Sequence, residues 1–186
     1  MSQRQIESEA EGKMKRSLDT FRQELAVMRT GRATPALLER IVVDYYGSPM
    51  PINQVATISV PESQLLVIQP WDQSLIKEIE RAILKSDLGL NPSSDGTLIR
   101  LPIPSLTEDR RHDLARVVWK KAEETKVAIR NIRREANDGL KRLEKEKSIS
   151  EDENMRRQQE VQKLTDRFVD EIDNVAKTKE KEIMSI

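Results

Sequence analysis

The chain is poor in the residue types on which enzyme active sites and large cores depend. It has no cysteine, one histidine and 3% aromatic residues in a length of 186. The absence of cysteine excludes disulfides, thiolate metal sites and a cysteine nucleophile. So few aromatic residues cannot form one thick core, and they favour long helices that each bury a narrow apolar stripe. The six glycines are scattered, so the sequence contains no glycine-rich phosphate loop.

Long apolar runs and an excess of either charge are also missing. No run approaches the length of a membrane span, and polar residues rather than an apolar signal sequence follow Met1. We therefore expect a soluble, cytoplasmic protein. Basic and acidic residues both number 32, so bulk charge predicts no binding to polyanions. The distribution is uneven, since residues 107–147 carry 13 basic against 9 acidic side chains. Any nucleic-acid contact must therefore come from a local patch.

Three segments have apolar residues at steps of three and four, the spacing of an amphipathic helix. These stripes run over residues 6–28, 114–143 and 161–183. Thr107 and Ser150 predict the starts of the second and third helices, because acidic residues follow each of them at capping positions. No such helix can bury its stripe alone, so we expect the three to pack as an elongated bundle.

The stretch between the first two helices differs in kind, because short apolar runs there alternate with proline and glycine. It predicts short strands and one short helix, with Trp71 in the core. The predicted strands cover residues 41–46, 55–60, 65–69 and 97–101. We expect the first long helix to end near Thr30.

These predictions combine into an α+β fold with two domains. Residues 1–30 and 106–186 are expected to form the three-helix bundle. Residues 31–105 are expected to form a small α/β domain inserted between helices one and two, with hinges near 30–35 and 102–106. Two short connections favour bending about one axis.

The second long helix contains the most informative stretch, Arg130–Arg134, which puts three arginines within about one and a half turns. On a helical wheel with Ile129 at zero, the apolar stripe covers roughly 300–20°. The polar residues at roughly 40–140°, called the basic ridge below, are Lys126, Arg130, Arg133, Arg134, Asn137 and Lys141. The acids on the other flank are Glu124, Glu135 and Asp138. Mixed signs would keep the helix equally soluble, so this segregation favours an RNA or other polyanion contact over a merely solvated face.

Other candidates for chemistry have simpler interpretations. His112, in the charged first turns of the second helix, is expected to be a surface residue. The acids at 151–153 are explained by helix capping better than by metal binding. Trp119 lies on the ridge side at roughly 80°, where it would either stack on a base or pack against arginine stems. Arg29 and Arg32 would join the ridge if the first helix ends beside the middle of the second. The residues predict no catalytic, metal or cofactor site.

Six motifs, in their order and spacing, resemble the ribosome recycling factor family over essentially the whole chain. The motifs are Arg29–Ala33, Val43–Gly47, Ser86–Pro92, Leu106–Arg111, Arg130–Arg134 and Ser150–Glu153. The resemblance implies an L-shaped protein with a tRNA-like outline, made of a three-helix bundle and a hinged small domain. It also implies a monomer without a catalytic site or a cofactor.

The resemblance further implies a function and its partners. Such a factor binds the post-termination ribosome through the large subunit and its rRNA. Together with elongation factor G, which hydrolyses the GTP, it splits the subunits and releases ribosomes from mRNA. By motif match the RNA-binding residues are Arg29, Arg32, Arg130, Arg133 and Arg134. Trp119 stands where relatives are expected to carry a basic residue, so it is not included.

Two alternatives remain open at this point. One is a non-enzymatic helical module that binds RNA or serves as a protein adaptor. The other is an enzyme with an acidic metal site.

Overall fold

The computed structural model describes residues 2–185, which contain four α-helices and six strands. The helices are α1 (Gln3–Ala26), α2 (Ile76–Lys85), α3 (Glu108–Lys145) and α4 (Glu151–Met184). The strands are β1 (Val42–Tyr45), β2 (Ser48–Pro51), β3 (Ala56–Glu62), β4 (Leu65–Pro70), β5 (Ser93–Ser94) and β6 (Ile99–Pro102). The chain divides into two compact units, one of Met1–Leu25 with His112–Ile186 and the other of Ala26–Arg111.

The first unit is a bundle of the three long helices, and it buries the predicted apolar stripes. In α1 the buried residues are Ile6, Ala10, Met14, Leu18, Phe21 and Leu25. In α3 they include Val118, Ala122, Ile129 and Leu140. Lys179 of α4 fills a stripe position with its aliphatic stem: it is 8% exposed, and its Nζ lies 3.3 Å from Glu182 Oε2. Gly139 of α3 permits a close approach of α1, because a Cβ there would lie 3.2 Å from Ile6 Cδ1.

The predicted helix starts are confirmed by their hydrogen bonds. The backbone N–H of Glu153 donates to Ser150 Oγ at 3.2 Å. The N–H of Arg110 donates to Thr107 Oγ1 at 3.3 Å. Lys147, with φ of 58°, reverses the chain between α3 and α4.

The predicted end of the first helix near Thr30 is wrong, because α1 ends at Ala26. The residues that follow belong to the second unit. Thr30 is 1% exposed there, and the Arg29 guanidinium donates to backbone carbonyls beyond α2. Such tertiary contacts override the helical periodicity of a few terminal residues.

The second unit contains an antiparallel sheet of order β3-β4-β6-β5, a separate β1–β2 hairpin and α2. Its core is aliphatic, with Leu38, Val43, Leu66, Ile79 and Leu101 among its fully buried members. The bundle of long helices and the small α/β unit inserted between the first two confirm the predicted α+β class. Within residues 2–185, no helix is both long and apolar enough to cross a membrane.

Two strands of this unit, β2 and β5, were not predicted from the sequence. Pro49 and Pro51 disfavour a strand over residues 48–51, yet β2 pairs there with β1 alone. A strand with one neighbour tolerates proline, because its other edge needs no N–H donor. The hairpin turn uses Tyr46 and Gly47, both with positive φ, as the type I′ turn of a two-residue hairpin requires.

The expectation that Trp71 lies in the core is also wrong. Trp71 is 68% exposed, and its Nε1 donates to Thr57 Oγ1 at 3.0 Å. In β4 the buried positions are Leu66, Ile68 and Pro70. Because side chains alternate along a strand, the residue after Pro70 points away from that core.

Candidate nucleic-acid interface

The basic ridge of α3 lies beside the core stripe, as the helical wheel predicts. Ile129 is fully buried and Ala136 is 5% exposed, whereas Arg130 and Arg133 are half-buried and Arg134 is exposed. A continuous helix therefore anchors the three arginines through its buried face. This leaves their guanidinium groups at the bundle surface, where the three differ in their polar contacts.

Lys126 is the ridge residue most involved in packing. Its Nζ lies 2.9 Å from Asp173 Oδ1 of α4 and 3.1 Å from Glu123 Oε2, and its side chain is 15% exposed. The hydrogen bond to Asp173 raises the pKa of Lys126, and the one to Glu123 acts in the same direction. This ammonium is therefore occupied in joining α3 to α4.

Arg130 is paired with an acid on its own helix. Its Nη2 lies 2.7 Å from Glu123 Oε1, and its side chain remains 39% exposed. The hydrogen bonds of Arg130 and Lys126 lower the pKa of Glu123. Glu123 falls at roughly 120° on the wheel, within the sector of the ridge. The segregation of charge by sign is therefore less complete than the sequence analysis assumed.

Arg133 is held by a neutral side chain of α4. Its Nη1 donates to Gln162 Oε1 at 2.9 Å, and Gln162 Nε2 donates in turn to Asp166 Oδ1 at 2.7 Å. The second bond orients the amide so that its oxygen faces the guanidinium. Within residues 2–185, no carboxylate contacts the Arg133 guanidinium directly, and the bond to Gln162 fixes its position.

The outermost ridge residues are Arg134 and Lys141. Both are exposed, and no hydrogen bond or ion pair within residues 2–185 engages either side chain. Asn137, between them, is half-buried, and its Oδ1 has no donor among the described residues. Arg134 is therefore the ridge arginine with the most accessible charge.

The opposite flank of α3 faces α1. Glu135 pairs with Lys13 at 2.6 Å, and Lys121 pairs with Glu24 at 2.8 Å. Packing against α1 thus explains part of the acid-rich flank without reference to RNA. The case for an RNA contact consequently depends on the arginines that remain outward.

Arg29 and Arg32 belong to the second unit, Ala26–Arg111. The Arg29 guanidinium donates to the carbonyls of Leu88 and of Asp87, the latter at 3.2 Å, so it binds the chain that follows α2. Arg32 is half-buried and has an interaction of its own. Their membership of one RNA-binding surface with the ridge stays a prediction.

Two further candidates, His112 and Trp119, also lie on α3. His112 is exposed, and Trp119 is half-buried. Among the residues that the structure describes, no group of three or more histidine or acidic side chains is arranged to hold a metal ion.

Sequence reasoning missed three residues that surround the ridge: Glu123, Gln162 and Asp173. Glu123 could have been found, since it precedes Arg130 by seven residues, or about two helical turns. Gln162 and Asp173 contact the ridge only because α4 packs beside α3, and no local pattern signals that pairing.

Comparison with known proteins identifies a family. The ribosome recycling factor family model matches residues 21–184. The ribosome-recycling factor of Carboxydothermus hydrogenoformans is 60% identical over 181 residues, covering 97% of this chain and 98% of that protein. The ribosome-recycling factor of Symbiobacterium thermophilum is 58% identical over 183 residues, covering 98% of this chain and 99% of that one.

Solved structures agree in fold. A solution structure of the ribosome recycling factor matches with a TM-score of 0.84 and 47% identity, covering 100% of this chain and 99% of the other. A second match comes from models of the T. thermophilus ribosome recycling factor and the E. coli elongation factor G bound to the E. coli post-termination complex. It has a TM-score of 0.71 and 50% identity, and it covers 99% of this chain and 100% of that chain.

Proposed function

We propose a function in ribosome recycling, because the chain belongs to the ribosome recycling factor family. The resemblance predicted from the sequence motifs is thereby confirmed. Membership of this family places the chain in protein biosynthesis, among proteins that bind ribosomes. Its working compartment is then the one in which ribosomes translate, the cytoplasm.

The chain binds the ribosome after termination and acts together with elongation factor G. GTP hydrolysis by that partner drives separation of the subunits and release of the ribosome from mRNA. Support comes from the similar chain that occurs with elongation factor G on a post-termination complex. In this scheme the chain acts as a monomer and contributes binding and stiffness rather than catalysis, and it needs no cofactor.

The basic ridge is the part that contacts rRNA of the large subunit. The single observation that supports this assignment is the outward position of Arg130, Arg133 and Arg134 on one rigid helix. Arginine is always charged, and its planar fork matches two phosphate oxygens. Three such groups within about one and a half turns can neutralise neighbouring phosphates of one RNA segment.

Arg29 and Arg32 make a second contact with the same RNA. Arg29 uses two of its donors on backbone carbonyls, and a guanidinium has five. Its remaining donors can therefore bind a phosphate while the first two keep the side chain in place.

Bending between the two domains, predicted near residues 30–35 and 102–106, is proposed to occur outside the anchored parts of those segments. The N–H of Ala33 donates to the Ser63 carbonyl at 2.7 Å, and the N–H of Ile103 donates to the Gln64 carbonyl at 2.8 Å. These bonds attach both connections to the β3–β4 turn. In hydrogen exchange, the amides of Ala33 and Ile103 should therefore be protected; rapid exchange at both would contradict this placement.

The function is tested on post-termination ribosomes separated in sucrose gradients. We expect the 70S peak to convert into subunits only when the chain, elongation factor G and GTP are all present. Unchanged 70S peaks under those conditions would refute the proposal. Conversion without elongation factor G would refute the proposal that GTP hydrolysis by this partner drives subunit separation.

The ridge assignment is tested by ribosome binding at fixed salt. Arg133→Ala should weaken binding by about 1–3 kcal/mol with unchanged fold, since a charge-assisted contact is lost. Arg142→Ala is the matched control, because Arg142 is an exposed arginine of the same helix at roughly 220° on the wheel. Equal effects of the two substitutions would contradict a specific ridge. Binding that is insensitive to salt would favour the adaptor alternative.

A further inference from the structure

Glu123 lies in the same sector of α3 as the basic ridge, and it contacts two of the ridge cations. Glu123 Oε1 lies 2.7 Å from Arg130 Nη2, and Glu123 Oε2 lies 3.1 Å from Lys126 Nζ. The Glu123 side chain is 57% exposed. It therefore stands at the surface, beside the guanidinium that is proposed to meet RNA.

The two cations do not depend on Glu123 to the same degree. Lys126 has a second carboxylate, Asp173 Oδ1, at 2.9 Å, and it is mostly buried. Arg130 has Glu123 as its one ion-pair partner among the described residues, and it is 39% exposed. Loss of the Glu123 charge would thus leave Lys126 paired and Arg130 unpaired.

One oxygen of the Glu123 carboxylate accepts from Arg130 Nη2, so Glu123 occupies one end of the fork that a phosphate would use. An RNA phosphate that approaches Arg130 must displace Glu123 or share the fork with it, and it also meets a like charge. The neighbouring Arg133 differs, because its partner is the neutral amide of Gln162.

We infer that Glu123 is a built-in competitor of RNA at the basic ridge, a residue that lowers the affinity of Arg130 for phosphate. This inference rests on the proposed function of the ridge and adds to it the control of its affinity. A competing acid keeps a factor that must leave the ribosome after each cycle from binding RNA too tightly.

The test compares Glu123→Gln with wild type in binding to purified 70S ribosomes over a range of salt concentrations. Glutamine keeps the size of the side chain and removes its charge. We expect affinity to rise about two- to five-fold, the range of an exposed ion pair. The salt dependence should become steeper, because Arg130 then releases a counterion fully on binding. Glu124→Gln is the matched control, since Glu124 is exposed on the other flank of α3 and should leave binding unchanged.

A double-mutant cycle with Arg130→Ala separates competition from a general charge effect. Most of the gain from Glu123→Gln should disappear when Arg130 is absent. An equal gain in both backgrounds, or a gain in the Glu124 control, would overturn the inference in favour of overall charge. A loss of affinity in Glu123→Gln would also overturn it, because Glu123 would then orient Arg130 for RNA.

Substitution of the ridge arginines distinguishes failure of the proposed RNA contact from failure of the role given to Glu123. If Arg130→Ala and Arg134→Ala leave binding unchanged, the proposed RNA contact fails and the inference fails with it. If both weaken binding while Glu123→Gln has no effect, only the inference fails. Far-ultraviolet circular dichroism and thermal melting of each variant exclude unfolding as the cause of any change.

Discussion

Replacement of Lys126 by methionine separates the structural cation of the ridge from those proposed to bind RNA. The ammonium lies 2.9 Å from Asp173 and 3.1 Å from Glu123 in a side chain that is 15% exposed. At this distance two unit charges attract by about 1.4 kcal/mol in bulk water and by more where water is partly excluded. Desolvation of the ammonium offsets part of that gain.

We therefore expect Lys126→Met to lower the free energy of unfolding by about 1–2 kcal/mol. This exceeds the roughly 0.2–1 kcal/mol of an exposed pair and falls short of the roughly 3–5 kcal/mol of a broken buried pair. Methionine keeps an unbranched stem of similar length, so lost packing adds little.

The pH dependence of this difference follows from the direction of the pKa shift. The hydrogen bond to Asp173 raises the pKa of Lys126 above its ordinary value of 10.5, so the folded state binds this proton more tightly than the unfolded state. The stabilisation is complete below pH 10.5 and is lost as the pH rises through the folded-state pKa. The stability difference between wild type and variant should therefore be constant from about pH 6 to 10 and shrink above that range.

The assay is urea unfolding followed by circular dichroism at a helical wavelength, together with ribosome binding at several salt concentrations. Lys163→Met is the control, since Lys163 is 72% exposed and its one ion-pair partner among the described residues is Glu160 of its own helix. Its stability should change by less than about 0.5 kcal/mol. Wild-type stability of Lys126→Met at pH 8 would refute the reasoning. The reasoning would also be refuted if Lys126→Met reduced the salt dependence of ribosome binding as much as Arg134→Ala does, because Lys126 would then contact phosphate.

Three further predictions concern the core, the turns and the tryptophans. Ile129→Ala in the bundle core should destabilise the chain by about 2–5 kcal/mol in urea unfolding. Val127→Ala, at a position 45% exposed, should cost less than about 0.5 kcal/mol. Similar costs for the two variants would contradict the burial of Ile129. Hydrogen bonds from the Thr97 hydroxyl and, to a smaller extent, from the N–H groups of Leu98 and Thr97 lower the pKa of Asp95 from 3.8. The Asp95 carboxylate therefore stabilises the folded state above pH 3.8, and this stabilisation is lost as the pH falls through the folded-state pKa. Asp95→Asn should therefore show a smaller acid-induced fall in melting temperature by calorimetry than wild type, and an equal fall would contradict the turn geometry. The Trp119→Phe variant, with Trp71 as its one tryptophan, should emit like a solvated indole and be quenched readily by iodide, while a blue-shifted, protected emission would show that Trp71 is buried.

Local rules predicted the bundle well because each of its signals is contained in a short stretch of sequence. The stripe from Ile6 to Leu25 needs only the helical period, and it is buried throughout. Ser150 caps α4 through a residue three positions away. The side of α3 on which Arg130 and Arg134 lie follows from the same period once Ile129 is known to be buried.

The rest depended on partners that are distant in sequence. Lys126 is a packing residue because Asp173, on another helix, lies beside it. The first helix ends at Ala26 rather than near Thr30, and Arg29 beyond it donates to the distant backbone carbonyls of Asp87 and Leu88. Trp71 follows a buried proline at the end of a strand and is exposed. Its hydrophobicity alone led to the wrong prediction that it lies in the core.

The balance of charge along α3 bears on how such a factor can both bind and leave. If Arg130, Arg133 and Arg134 each neutralise one phosphate, the slope of log affinity against log salt from the ridge is about 2 to 3. A slope of this size corresponds to a small number of phosphate contacts. These contribute to affinity near physiological salt without the very tight binding of a strongly basic protein. Glu123 would lower the contribution of Arg130 further, and the zero net charge of the chain adds no general attraction to RNA. The affinity that comes from the ridge is then concentrated in three side chains, so a displacement that lifts α3 from the RNA removes that contribution.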